Sequence, residues 1–153
     1  DIGVTGVQTC ALPISRLPGR FKPGTVNSNI GCLTDLMATA AELTGASLPR
    51  DAAEDSFSWL GANRPFVIHH SAQGMFAIRQ GDWKLVAGLG SGGFSDPKTI
   101  PNRPGEPEGE LYNLKTDPSE TDNVWLQRPE MVKQLSAVLT RAQSEGRTRP
   151  TSG

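Results

Sequence analysis

Histidine and cysteine are scarce in this 153-residue chain, at two residues each, and charge of either sign is never in excess. Cys10 and Cys32 permit one disulfide at most. Neither stands in a CxxC pair or at metal-ligand spacing, so a disulfide framework and a cysteine-built metal site are excluded and the compartment stays open. The two histidines, His69 and His70, are adjacent, and neighbouring side chains in an extended run point to opposite faces, so they do not converge on one ion. With no third ligand at a fitting spacing, the sequence predicts no metal site. Lysines and arginines number 15 against 16 acids, and there is no basic run, which argues against a nucleic-acid partner or a charged membrane surface. No apolar stretch approaches the roughly 20 residues of a spanning helix, and no charged region followed by an apolar one marks an export signal, so a soluble chain without a membrane span is expected. Ser71 lacks a GxSxG elbow, the glycines of the 88–109 stretch are not followed by a helix start as a phosphate loop would be, and there is no internal repeat.

What is present fits one domain or a piece of a larger one, with 36% apolar residues to support a modest core. "RLPGRFKPGTVNSN" is rich in Pro, Gly and Asn and reads as an extended connection. In "GCLTDLMATAAELTGASLP", Leu33, Leu36, Met37, Ala40 and Leu43 recur at helical spacing, Asp35 suits a first turn and Gly45 a helix end. "RDAAEDSFSWLGANR" has no period and reads as a loop tucking Phe57, Trp59 and Leu60 inward; its acids Asp51, Glu54 and Asp55 read as surface residues rather than a catalytic pair.

From Pro65 the period becomes two. "PFVIHH", "MFAIRQ" and "WKLVAG" predict strands, and Gly81-Asp82 between the last two predicts a tight hairpin. That connection fixes a register: Gln80 opposite Trp83, Ile78 opposite Leu85, Phe76 opposite Ala87, and Arg79 opposite Lys84 on the other face. Two like charges so placed face either water or an acidic group. The breaker-rich stretch up to Gly109 reads as a flexible loop, "ELYNL" as a fourth strand, and "KTDPSETDN" as a turn. "PEMVKQLSAVLTRAQSEG" predicts a second helix, with Met131, Leu135, Val138, Leu139 and Ala142 as its stripe and Gly146 at its end, followed by a frayed tail at 147–153. The order predicts an α+β unit with helices against an antiparallel sheet of about four strands.

Three stretches, in order, resemble the C-terminal portion of the formylglycine-dependent sulfatases, the arylsulfatase-like sulfuric ester hydrolases of the alkaline phosphatase superfamily. They are "LPGRFKPGTVNSNIGCLTDLMATAAELTGASLP", "HHSAQGMFAIRQGDWKLV" and "ELYNLKTDPSETDNV". The resemblance implies that 16–32 is a linker out of a large α/β domain and 33–146 a C-terminal subdomain docked on it. In the family a cysteine in a Cys-x-Pro-x-Arg motif becomes the formylglycine nucleophile. "CALPISR" departs from that motif, because Pro13 follows Cys10 by three positions instead of two and Arg16 by six instead of four. Residues 1–15, "DIGVTGVQTCALPIS", instead resemble a translated sequencing adapter, which would make Cys10 foreign to the natural protein.

On this resemblance the chain is a sulfatase fragment, inactive alone, whose parent uses calcium and formylglycine held outside this chain; no cofactor, metal ligand or catalytic residue is assigned here. The implied partner is a small-molecule or carbohydrate sulfate ester, and the parent is periplasmic or secreted. His69 and His70, at the end of a strand near the glycine-rich loop, are the candidates for the substrate-side wall. Two other readings stay open: a non-catalytic interaction module, and a fragment of a related phosphoester hydrolase.

Overall fold

A computed structural model describes residues 16–61 and 64–150. Its elements, in chain order, are α1 (Asp35–Thr44), β1 (Val67–His70), β2 (Phe76–Gln80), β3 (Trp83–Val86), β4 (Glu110–Asn113) and α2 (Pro129–Glu145). The strands form one antiparallel sheet in the order β1-β2-β3-β4, so each pairs with its neighbour in sequence. This is the α+β architecture the sequence predicts. The opening segment with Cys10 lies outside the described residues.

The hairpin register is the expected one, with Gln80 opposite Trp83, Arg79 opposite Lys84 and Ile78 opposite Leu85. Gly81 turns it with φ 58°, a left-handed value that a Cβ would disfavour. Alternation then sorts the side chains into two faces. One carries Ile68, Ile78, Leu85 and Leu111, and against it α2 lays Leu135, Leu139 and Ala142. Ile78, Leu85 and Leu111 are fully buried, each contributing about 2 kcal/mol by removal from water. Helix α2 opens with Pro129 in its first turn and ends at Gly146.

The opposite face holds Lys84 against Glu120, at 2.6 Å, which decides between the two readings of the Arg79/Lys84 pair. Lys84 is buried with an acidic partner, while Arg79 bonds the Gly81 carbonyl oxygen through Nε. Glu120 reaches Lys84 from a backbone with φ 55°, which for a residue with a Cβ costs about 1 kcal/mol. Asp117 holds that turn by accepting the N–H groups of Thr121 (2.8 Å) and Asp122 (2.9 Å). Asn123 finishes it: its Oδ1 accepts from the Leu111 N–H (3.0 Å) and its Nδ2 donates to the Gly109 carbonyl (3.1 Å). The "GDWKL" and "DPSETDN" stretches are thus two halves of one clasp.

Helix α1 ends at Gly45 as expected but begins at Asp35, so Leu33 of the predicted stripe lies in the turn before it, and the helix sits differently from α2. Its buried residues are Asp35, Ala38 and Thr39, whereas Leu33, Leu36, Met37 and Leu43 are 64%, 52%, 52% and 45% exposed. What anchors it is polar. Arg64 and Asp35 form a buried ion pair at 2.7 Å. Asp35 also accepts the N–H groups of Cys32 (2.9 Å) and Phe57 (3.0 Å), and Arg64 donates on to the carbonyls of Phe66 and Asp55. Ser56 Oγ accepts the Ala38 N–H (2.8 Å), tying the first turn of α1 to the 51–61 loop. In the 51–61 loop, Ser56 is the buried residue, while Phe57, Trp59 and Leu60 are half-buried, Phe57 lying over the Arg64 guanidinium at 4.8 Å.

Two expectations are corrected. The 88–109 connection is not a loose loop: Ser91 and Gly92 donate to the carbonyls of Pro97 (3.0 Å) and Lys98 (2.9 Å), and Ile100 donates to Leu89 (2.9 Å). The tail does not fray through 149, because Thr148 N–H donates to Asp55 Oδ1 (2.8 Å) and Arg149 N–H to the Glu54 carbonyl (2.8 Å).

Candidate functional site

The two histidines diverge, as adjacent residues of a strand must. Strand pairing aligns His69 with Ala77, and Ala77 with Val86, on the sheet face opposite α2. There the charges of Lys84 and Glu120 act on it. Burial pulls the His69 pKa below 6.5; Lys84 pulls the same way, Glu120 opposes and His70 adds a small further lowering. The imidazole is therefore held neutral to lower pH than an ordinary histidine. On the same face, burial raises the Glu110 carboxyl despite hydrogen bonds from Tyr112 and the Gly90 N–H. Tyr112 is itself pushed well above its ordinary value, first by burial and then by the Glu110 charge. Strand alternation on β3 and β4 brings these groups together.

His70 lies on the α2 side. Its ring centroid is 5.6 Å from that of Phe76, and Nδ1 is 2.9 Å from the Ser71 carbonyl oxygen. With His69 it borders a cleft of about 450 Å³, whose walls include Cys32, Asp55, Ala142 and Thr148. The 88–109 connection lines a different hollow, of about 310 Å³, beside the β1–β2 turn. It meets that turn where Gln73 N–H donates to the Gly92 carbonyl (3.1 Å) and where a Cβ on Gly92 would strike Ser71 Oγ at 2.6 Å. The histidines and the long connection, expected to border one pocket, are thus lining residues of two.

Other candidates have structural duties. Ser71 Oγ accepts the N–H groups of Gln73 (3.3 Å) and Met75 (3.1 Å) and so shapes the turn. The Asp55 carboxylate receives Thr148, and Cys32 opens α1 through its bond to Asp35. Among the described residues no three or more His, Cys, Asp or Glu side chains stand together as metal ligands would. No described helix is long and apolar enough to cross a membrane. The Arg64–Asp35 pair and the Lys84–Glu120 clasp escape sequence reading, since their partners are 29 and 36 residues apart. The one local signal for the clasp is the like-charge Arg79/Lys84 pairing, which calls for an acid nearby.

The proteins this small sheet and its helices resemble are sulfatases, although no family model matches the chain. The N-acetylgalactosamine-6-O-sulfatase of Bacteroides thetaiotaomicron is 30% identical over 141 residues, covering 82% of this chain and 26% of the relative. A solved "6S-sulf" structure, from work on the metabolism of multiple glycosaminoglycans by the same organism, superposes with a TM-score of 0.56 at 30% identity, over 72% of this chain and 24% of that one. A protein in complex with its substrate D-glucosamine-2-N,6-O-disulfate shares the fold, with a TM-score of 0.51 at 19% identity, covering 72% of this chain and 23% of the other. The chain spans about a quarter of the length of these relatives.

Proposed function

We propose that this chain is the C-terminal subdomain of a sulfatase that cleaves sulfate esters of a carbohydrate, inactive alone and forming part of the substrate-side wall. The observation that carries the reading is the 30% identity to the N-acetylgalactosamine-6-O-sulfatase, extending over most of this chain. The exposed apolar face of α1 supports it. Leu33, Leu36, Met37 and Leu43 form a stripe whose burial against an enzyme body would complete the fold. In this reading the calcium and the formylglycine belong to that body, and the residues described here take no chemical step through them. His70, at the mouth of the cleft, and His69, whose pKa is lowered first by burial and then by Lys84, are the candidates for contact with substrate.

The test is to recover the genomic locus, express its whole reading frame and measure sulfate release from N-acetylgalactosamine 6-sulfate, with phosphate release from a matched phosphoester in parallel. Sulfate release by the whole protein, and none by the 153-residue chain, is expected. Phosphate release alone, or neither, overturns the proposal. The same locus tests residues 1–15, which we read as a translated adapter and expect to find replaced by a different sequence.

A further inference from the structure

The hollow between the β1–β2 turn and the 88–109 connection has a composition of its own. Met75, Leu89 and Ile100 give it apolar surface, and Gln73, Thr99, Asn102 and Glu108 stand around it. All four polar residues are exposed, and none of their side chains bonds to another described residue. Its walls are fixed by the backbone hydrogen bonds Ile100 to Leu89 (2.9 Å), Gly92 to Lys98 (2.9 Å) and Gln73 to Gly92 (3.1 Å). At about 310 Å³ it is as large as the smaller small-molecule sites.

We infer that this hollow binds an uncharged pyranose ring, a unit of the oligosaccharide next to the sulfated one. Two primary amides, a hydroxyl and a carboxylate offer the mixed donors and acceptors that neighbouring ring hydroxyls need. The apolar surface matches the C–H face of a sugar ring. The Glu108 carboxylate repels a sulfate or a uronate, which selects a neutral unit. With the backbone of the walls already bonded into place, binding has to order only the four side chains. The place of this unit in a larger substrate rests on the sulfatase reading above; its binding does not.

The experiment is therefore a titration of the ¹⁵N-labelled 153-residue chain, followed by NMR, with N-acetylgalactosamine and, separately, its 6-sulfate. Saturable shifts are expected at Gln73, Gly74, Leu89, Thr99, Ile100 and Asn102, with affinity about fivefold lower for Asn102→Ala, the loss of one hydrogen bond. The 6-sulfate should bind about fivefold more weakly than the neutral sugar, a gap that Glu108→Gln closes. Absence of shifts at tens of millimolar, or shifts untouched by Asn102→Ala, overturns the inference. In the whole enzyme, Gln73→Ala and Asn102→Ala should raise KM for a sulfated oligosaccharide and leave kcat and KM for the sulfated monosaccharide unchanged. Equal KM for wild type and variants on the oligosaccharide would overturn the subsite while the sulfatase stands. Binding of the neutral sugar by a protein that releases no sulfate would leave the subsite standing while the sulfatase reading fails.

Discussion

Two helices of one small chain are attached by opposite means. Helix α2 turns its apolar stripe inward and is held by Leu135, Leu139 and Ala142 against the sheet. Helix α1 turns its apolar stripe outward and is held by the buried Arg64–Asp35 pair and by the hydrogen bonds of Ser56 and Thr39. Amphipathic spacing thus states which face of a helix wants burial and leaves open where the covering surface comes from. For α2 that surface is within the described residues. For α1 the polar side is the one buried, and the apolar side waits for a partner.

Arg64→Ala should separate the two modes of attachment most strongly. It leaves the Asp35 carboxylate buried and uncompensated, and should cost about 3–5 kcal/mol. Hydrogen exchange should show protection lost in 35–44 and 55–60 while β2, β3 and α2 keep theirs; uniform loss would mean that the two halves are one cooperative unit. Next comes Leu135→Ala, at about 3 kcal/mol by cavity formation, with the reverse pattern: the sheet and α2 open first. Glu120→Gln should cost less, about 1 kcal/mol, because the Glu120 side chain is 29% exposed and the pair is partly wet. Urea unfolding monitored at Trp83 and Trp125 checks it.

The smallest effect is pH-dependent. For Asp35, burial alone would raise the pKa, but the Arg64 hydrogen bonds, the N–H groups of Phe57 and Cys32, and the Arg64 charge outweigh it and leave the value below 3.8. Stability from this group is complete above that ordinary value and drains away as pH falls through the lowered one, so α1 should release in acid before the sheet melts. His69 has the same sign. Its lowered pKa makes protonation unfavourable in the fold, so stability slips as pH drops below 6.5, and His69→Asn should flatten that segment of the profile. A profile unchanged by the substitution would put His69 in solvent.

Local chemistry made much of the fold legible. The Gly81-Asp82 connection sets a register, and with it every pairing of β2 and β3, because a two-residue loop leaves the strands no freedom to slip. The α2 stripe predicts its own core contacts. The clasp and the ion pair were not legible, since Lys84 and Glu120, like Asp35 and Arg64, meet only after the chain folds back. Asp35 reads as a first-turn acid, which it is; nothing in its neighbourhood announces burial at 1% exposure. The site was half legible. Adjacent positions already imply that His69 and His70 part company, whereas the separate hollow of the 88–109 connection depends on a web of backbone bonds that glycine-rich sequence conceals.

Asn123 carries a last consequence. Strand β4 is one of the two outer members of the sheet, β1 being the other, and outer strands are where strands of other molecules are ordinarily recruited. By taking the Leu111 N–H and the Gly109 carbonyl into one side-chain amide, with Val124 N–H returning to the Leu111 carbonyl (2.9 Å), the chain plugs that margin with a stub of its own. With the β4 margin closed, Leu36→Glu should weaken self-association of the isolated polypeptide through the greasy flank of the first helix, while Asn123→Ala should open a route through β4.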